Sequence, residues 1–238
     1  MCDPAGAATD RSMAVMGEPM DLEDLRLAVY ETFARTGLAP TPTELAQAVG
    51  ASETDVAHGL SELHEAHHIV LDADGRIVMA HPFASIPFGF SVMGRQTLWW
   101  GGCAWDSFAI PNLVDDEPEV LVASTCPACE RPHAWVVGRD GPPAGNQVAH
   151  FLTPTSRIWD DVVRSCSNQR LFCDEACVER WLSATGHERG YVMDLATLWR
   201  LASRWYEGRL DRGYTRRDPT TARAFFESVG LRGPFWGL

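Results

Sequence analysis

Gln96-Thr97-Leu98-Trp99-Trp100-Gly101-Gly102-Cys103-Ala104-Trp105-Asp106-Ser107-Phe108-Ala109-Ile110-Pro111 sets a cysteine and an aspartate three residues apart, among tryptophans and ahead of an apolar run. Residues at that spacing lie on one side of a helical turn. A carboxylate beside a thiol in an apolar pocket can hold the proton that the thiol gives up, because low dielectric raises both pKa values. A buried structural cysteine followed by a helix-capping aspartate fits the same letters. The segments on either side decide what kind of fold holds the pair.

Upstream, Leu22, Leu25, Val29 and Phe33 repeat at helical spacing and Gly37 closes that helix. Thr41 and Thr43 can cap a second helix carrying Leu45 and Val49 and ended by Gly50. Ser52, with Asp55 in capping-box position, starts a third helix whose Val56, Leu60 and Leu63 share a face. Ile69 to Leu71 and Ile77 to Met79 then flank Asp72-Ala73-Asp74-Gly75, a hairpin turn. Three helices and a hairpin predict a winged-helix-like domain over 21–85, behind a flexible N-terminus at 1–20. Its charge argues against a DNA reader. Residues 1–82 hold 14 acidic side chains against 4 arginines, and the third helix has no arginine at all. That surface repels phosphate and suits a packing module. His64 and His68 have the i, i+4 spacing of a metal pair, but solvated histidines near a helix C-terminus are the better reading.

Downstream, a second domain spans 90–238. Val120–Ala123 and Ala134–Val137 read as strands, with Cys126-Pro127-Ala128-Cys129 between them. Gln147–Leu152 reads as a further strand, and Trp159–Val163, Glu175–Ala184 and Leu195–Trp205 as helices. Cys173 and Cys177 form a second close pair, with 43 residues between Cys129 and Cys173. One pair in a hairpin and one at a helix start predict a treble-clef-like site. Cys126, Cys129, Cys173 and Cys177 would hold a structural zinc in closed tetrahedral coordination. Two disulfides are the weaker alternative.

All 20 basic residues are arginine, so lysine Schiff-base chemistry and a G-x-x-x-x-G-K phosphate loop are excluded. A net charge of -12 argues against general nucleic-acid binding. No apolar run is long enough for a membrane span, and the first 20 residues lack the apolar core of a secretory signal. Seven cysteines, four of them in two close pairs, then point to a reducing, cytoplasmic setting with metal-binding or catalytic thiols.

The segment around Cys103 resembles the active-site motif of bacterial organomercurial lyases (alkylmercury lyases), in which Trp-x-Cys-Ala-x-Asp precedes Ser or Thr and a short apolar stretch ending in proline. Arg164-Ser165-Cys166-Ser167-Asn168-Gln169-Arg170-Leu171-Phe172 resembles the segment that carries the family's second catalytic cysteine, and Cys166 lies 63 residues beyond Cys103. The resemblance covers roughly residues 22–190. It implies an α+β fold, with a winged-helix-like domain lacking DNA function ahead of the catalytic domain. It further implies Cys103, Asp106 and Cys166 as the catalytic three, with Trp105, Cys103 and Cys166 contacting substrate. The implied reaction is protonolysis of a carbon–mercury bond in a small organomercurial, giving a hydrocarbon and protein-bound Hg(II) without an organic cofactor. Thiols or a mercuric reductase would accept the product, and the role would be mercury detoxification. The four-cysteine site departs from the best-known members and marks a divergent branch. Two alternatives stay open: a non-catalytic soft-metal binder for mercury, copper or zinc, and a related lyase acting on a non-mercury substrate.

Overall fold

The computed structural model describes residues 20–238, so the expected flexible segment 1–20 lies almost wholly outside the described residues. The chain folds as a mixed α+β protein whose sheets are antiparallel. Helix α1, Leu22–Thr36, is capped by Asp21, which accepts from the Glu23 amide, and buries Leu25, Val29 and Phe33. It stops at Gly37, where φ is +74° and a Cβ would lie 2.0 Å from the Leu98 carbonyl oxygen. Glycine is therefore required twice over, by conformation and by close approach to a neighbouring strand. Helices α2, Pro42–Val49, and α3, Glu53–Glu65, each begin in a capping box, Thr41 with Glu44 and Ser52 with Asp55.

Strands β1, Val70–Leu71, and β2, Ile77–Ala80, pair across the Asp72 turn, where the Asp72 carboxylate accepts from the Asp74 and Arg76 amides. The sheet continues through β3, Phe83–Ala84, β4, Phe90–Met93, and β5, Leu98–Gly101. After α4, Ala104–Ala109, it is completed by β6, Glu119–Thr125, and β7, Pro132–Gly138. The strand order is β1-β2-β3-β5-β4-β6-β7. One sheet thus includes strands from both sides of residues 85–89 and joins the hairpin to the rest of the chain. One contiguous apolar core follows it, from Leu25 and Phe33 through Trp99 and Phe108 to Trp236. The Trp99 indole donates to the Phe33 carbonyl at 2.9 Å and fastens α1 to β5.

A second sheet, ordered β10-β8-β9, consists of β8, Val148–Phe151, β9, Gln169–Phe172, and β10, Tyr191–Asp194. Helix α5, Val162–Ser167, leads into β9, and α6, Glu175–Thr185, leaves it. The helix expected at Trp159–Val163 is divided: a 3-10 turn covers Thr155–Asp160, and α5 starts afresh. Asp161 interrupts it because its extended backbone (φ −157°) frees its carboxylate to cap the Arg164 amide. Helix α7, Leu195–Trp205, buries Leu195, Leu198, Leu201 and Ala202 and packs against α4. Helix α8, Pro219–Ser228, closes the aromatic end of the core. No helix among the described residues is long and apolar enough to cross a membrane.

Candidate active site

Two glycines at the end of β5 admit the cysteine–aspartate pair. A Cβ on Gly101 would lie 2.0 Å from the Ser107 Oγ, and one on Gly102 2.5 Å from an Asp106 carboxylate oxygen. Cys103 is the extended N-cap of α4, so its side chain folds back over the first turn. Its Sγ donates to Asp106 Oδ2 at 3.2 Å and accepts from the Asp106 amide at 3.5 Å. The amide bond is an N-cap contact with a thiol in place of a hydroxyl, and the carboxylate returns to the sulfur itself.

Both residues are buried, and the site's electrostatics follow from that. Burial pushes the Asp106 carboxyl up to about 7, against the downward pull of hydrogen bonds from Tyr206 and Cys103 and of the nearby Arg209 charge. The Cys103 thiol is driven well above its ordinary value, first by burial and then by its contacts with Cys166 and Asp106. Cys166 sits on α5 at 3% exposure, beside Cys103. The neighbouring Cys103 thiol pulls its pKa down, but burial and the Asp106 charge leave it raised. The structure therefore brings Cys103, Asp106 and Cys166 into one buried cluster.

Three further side chains complete the cluster and carry no motif in the sequence. His81 Nε2 lies 3.4 Å from Cys166 Sγ, and donor atoms of His81, Asp106 and Cys166 fall within 4.8 Å of one another. Burial lowers His81 to about 3, so the imidazole is neutral at ordinary pH. Tyr206, just past α7, donates its hydroxyl to Asp106 Oδ1 at 2.5 Å. Arg209 lies under the Tyr206 ring, 5.0 Å from its centroid, and donates to the Tyr30 and Tyr214 hydroxyls at 2.8 and 3.0 Å. The contacts of His81 with Cys166, of Tyr206 with Asp106 and of Arg209 with Tyr30 span 85 to 179 residues of chain, so no local pattern announces them.

The cluster forms the floor of a cavity of about 440 Å³ walled by Trp105, Trp159, Trp205 and Phe226. Trp105 touches this cavity while stacking within 4.9 Å of Trp205 and 6.2 Å of Phe151 and Trp236. It is as much a core residue as a pocket one. His67 lies over the Trp159 ring at 4.1 Å, and His64 Nδ1 approaches the Ile69 carbonyl at 3.3 Å. Among the described residues, neither group compact enough for a metal ion includes His64 or His68.

The second such group is Cys126, Cys129, Cys173 and Cys177, whose sulfurs all lie within 4.8 Å of one another. Cys126 and Cys129 occupy the β6–β7 turn, where Glu130 takes a positive φ of 59° to close the knuckle. Cys173 follows β9 and Cys177 sits in the first turn of α6, where Asp174 accepts from its amide at 2.8 Å. Cys129 Sγ lies 3.4 Å from Cys173 Sγ and 3.9 Å from Cys177 Sγ, and no disulfide joins them. A tetrahedron with sulfurs ~2.3 Å from a central ion has edges of ~3.8 Å, so the set is dimensioned for a thiolate-bound metal. His133 Nε2, 3.3 Å from Cys173, borders the set, and the Arg180 guanidinium donates to Cys177 at 2.8 Å.

Residues 83–207 match the family model described as MerB, alkylmercury lyase. No curated protein matches the chain. Among solved structures, the crystal structure of the mercury-bound form of MerB2 superposes with a TM-score of 0.60. Sequence identity is 20%, and the match covers 80% of this chain and 91% of that one. At that identity the likeness is one of fold.

Proposed function

This chain belongs to the alkylmercury lyase family, and from that premise we propose that it cleaves carbon–mercury bonds by protonolysis. The observation that carries the reading is the buried meeting of Cys103, Asp106 and Cys166 beside a cavity with aromatic walls. Mercury is a soft ion that prefers thiolates, whereas its bond to carbon is nearly apolar and yields slowly to ordinary acid. Two thiolates and one proton carrier answer both problems.

In the proposed sequence, Cys103 passes its proton to Asp106, 3.2 Å away, as its sulfur takes the mercury of R–Hg–S–R′. Cys166 then adds its sulfur and expels R′–S⁻, which leaves as R′–SH with the Cys166 proton. The neutral His81 imidazole beside Cys166 is placed to hand that proton over. Donation from two thiolates enriches the carbon, Asp106 returns its proton there, and R–H departs. Hg(II) remains bound by the two sulfurs until outside thiols or a reductase remove it. A carboxyl titrating at about 7 suits both halves of this task, because it accepts and releases a proton near neutrality. Trp105 and its aromatic neighbours would hold the organic group.

We assign the Cys126, Cys129, Cys173 and Cys177 set to a structural zinc, in the treble-clef arrangement of a hairpin and a helix start. The support is the spacing of the four sulfurs. The helices α1–α3 and their hairpin are assigned to a winged-helix-like packing unit over 21–85, joined to a catalytic unit over 90–238. No nucleic acid is expected to bind it, in keeping with its acidic surface.

The deciding experiment is phenylmercury turnover with excess free thiol, measured as benzene release and Hg(II) formation. Catalytic benzene release that Cys166→Ser abolishes is expected. Stoichiometric mercury binding without benzene would replace the lyase reading with that of a soft-metal binder.

A further inference from the structure

Four arginines line the cavity above the thiols: Arg209, Arg216, Arg217 and Arg223. Among the described residues, none of them lies within ion-pair distance of a carboxylate. This is unexpected in a chain of net charge -12, where acidic partners are plentiful. Asp106 is the one acidic side chain in the lining, and it is already engaged by Cys103 and Tyr206.

These cations are also held in place. Arg216 lies over the Trp159 ring at 4.8 Å and donates to the Ala66 carbonyl at 3.3 Å. Arg217 lies over the Phe225 ring at 4.8 Å and donates through Nη2 to the Arg204 carbonyl at 3.1 Å. Arg209 is 5% exposed. The Nε atoms of both Arg209 and Arg217 are buried without a hydrogen-bond partner. A desolvated guanidinium lacking an anion is costly to keep, and its planar fork matches a carboxylate. The charges also reach the reacting groups: both Arg209 and Arg216 oppose protonation of His81.

We infer that the cavity contains an anion subsite, centred on Arg216 and Arg217, for a carboxylate borne by one of the mercury's two ligands. The inference rests on the lyase reading and narrows its substrate class. The aromatic wall takes the apolar body of the ligand, the sulfurs take the mercury, and the arginines take the charged end. The carboxylate has two possible carriers, the organic group itself or the thiol that delivers the mercury.

Two matched comparisons separate these sources, each scored as a ratio of kcat/KM so that general losses of activity cancel. The first sets 4-carboxyphenylmercury against phenylmercury, both delivered with 2-mercaptoethanol. The second sets phenylmercury delivered with 3-mercaptopropionate against the same compound delivered with 2-mercaptoethanol. In at least one arm the carboxylate is expected to raise kcat/KM about tenfold or more at low salt. That ratio should shrink in high salt and approach one in Arg216→Gln and Arg217→Gln. Ratios near one in both arms, or a ratio indifferent to both substitutions, overturn the subsite. Benzoate binding, followed through tryptophan fluorescence with benzamide as the neutral control, tests it without mercury. If no organomercurial is turned over, the lyase reading fails, yet saturable benzoate binding that either substitution weakens would uphold the subsite. Benzoate binding no tighter than benzamide, with no turnover, would sink both.

Discussion

Two groups of cysteines in this chain meet opposite surroundings, and the difference separates chemistry from scaffolding. Cys103 and Cys166 are buried beside a carboxylate, an imidazole and a tyrosine, at the floor of an open cavity. Cys126, Cys129, Cys173 and Cys177 sit at a hairpin turn and a helix start, with Cys129 exposed and the four sulfurs gathered on one another. Four thiols around one point leave no coordination position for a substrate. Two thiols with a proton carrier leave mercury free to keep its carbon until the proton arrives. On the proposed reading, the same residue type serves catalysis or folding according to how many sulfurs converge and what else is buried with them.

The sharpest way to break this contrast is to exchange one sulfur in each group. Cys103→Ser or Cys166→Ser should lower kcat/KM for phenylmercury by ~10³-fold or more, with zinc content and melting temperature nearly unchanged. Loss of zinc from either variant would mean that the two groups are not separate. Conversely, Cys177→Ser should strip the metal and destabilise the fold by several kcal/mol, because metal binding at such a site is folding free energy (~10 kcal/mol or more for small zinc modules). Elemental analysis paired with urea denaturation checks this; an unaltered unfolding midpoint after metal loss would make the tetrad incidental.

Smaller effects should come from the side chains that surround the reacting groups. With Asp106 titrating at about 7, kcat/KM should rise with pH through that value as the carboxylate able to take the Cys103 proton accumulates. Tyr206 stabilises that carboxylate, so Tyr206→Phe should move the midpoint upward by roughly one pH unit, given ~1.5 kcal/mol or more for a hydrogen bond to a charged group. An unmoved midpoint would show that Asp106 is not the group being titrated.

The smallest expected effects are on stability. His81 is held at about 3 instead of its ordinary 6.5, so the unfolded chain takes up a proton that the folded chain refuses. Its contribution is present above pH 6.5 and is lost as pH falls towards 3. Asp106 runs the other way: its carboxyl is raised from 3.8 to about 7, so its contribution is present below about pH 4 and is lost as pH rises through 7. Denaturation midpoints taken against pH should therefore lose part of their acid slope in His81→Gln and part of their neutral slope in Asp106→Asn. Unaltered slopes in both variants would mean that neither side chain is as buried as described.

Several features of this architecture were legible in the residues because their signals are local. Capping boxes at Thr41 and Ser52, the Asp72 turn and the apolar faces of α1 and α7 each fall within a few residues, and each forms where expected. Strands β4 and β5, four residues each, are too short for alternation to mark them, although they lie between β3 and β6 and make one sheet of the whole set. Asp161 broke an expected helix because a capping carboxylate competed successfully with helical continuation. Cys166 was found only through likeness to a family motif; its own neighbourhood offers no spacing that points to Cys103.

What the sequence determined alone is the inventory and its short-range geometry. It excludes lysine chemistry, sets Cys103 and Asp106 on one helical turn, and supplies two knuckle-like cysteine pairs. Tertiary structure decided the rest: that Cys166 and His81 reach the pair, that Tyr206 holds its carboxylate, and that four arginines face one cavity without acidic partners. The physical reason is range. Caps, turns and helical spacing are fixed by bonds between near neighbours, whereas burial, and with it every shifted pKa in the site, exists only once distant segments have excluded water together.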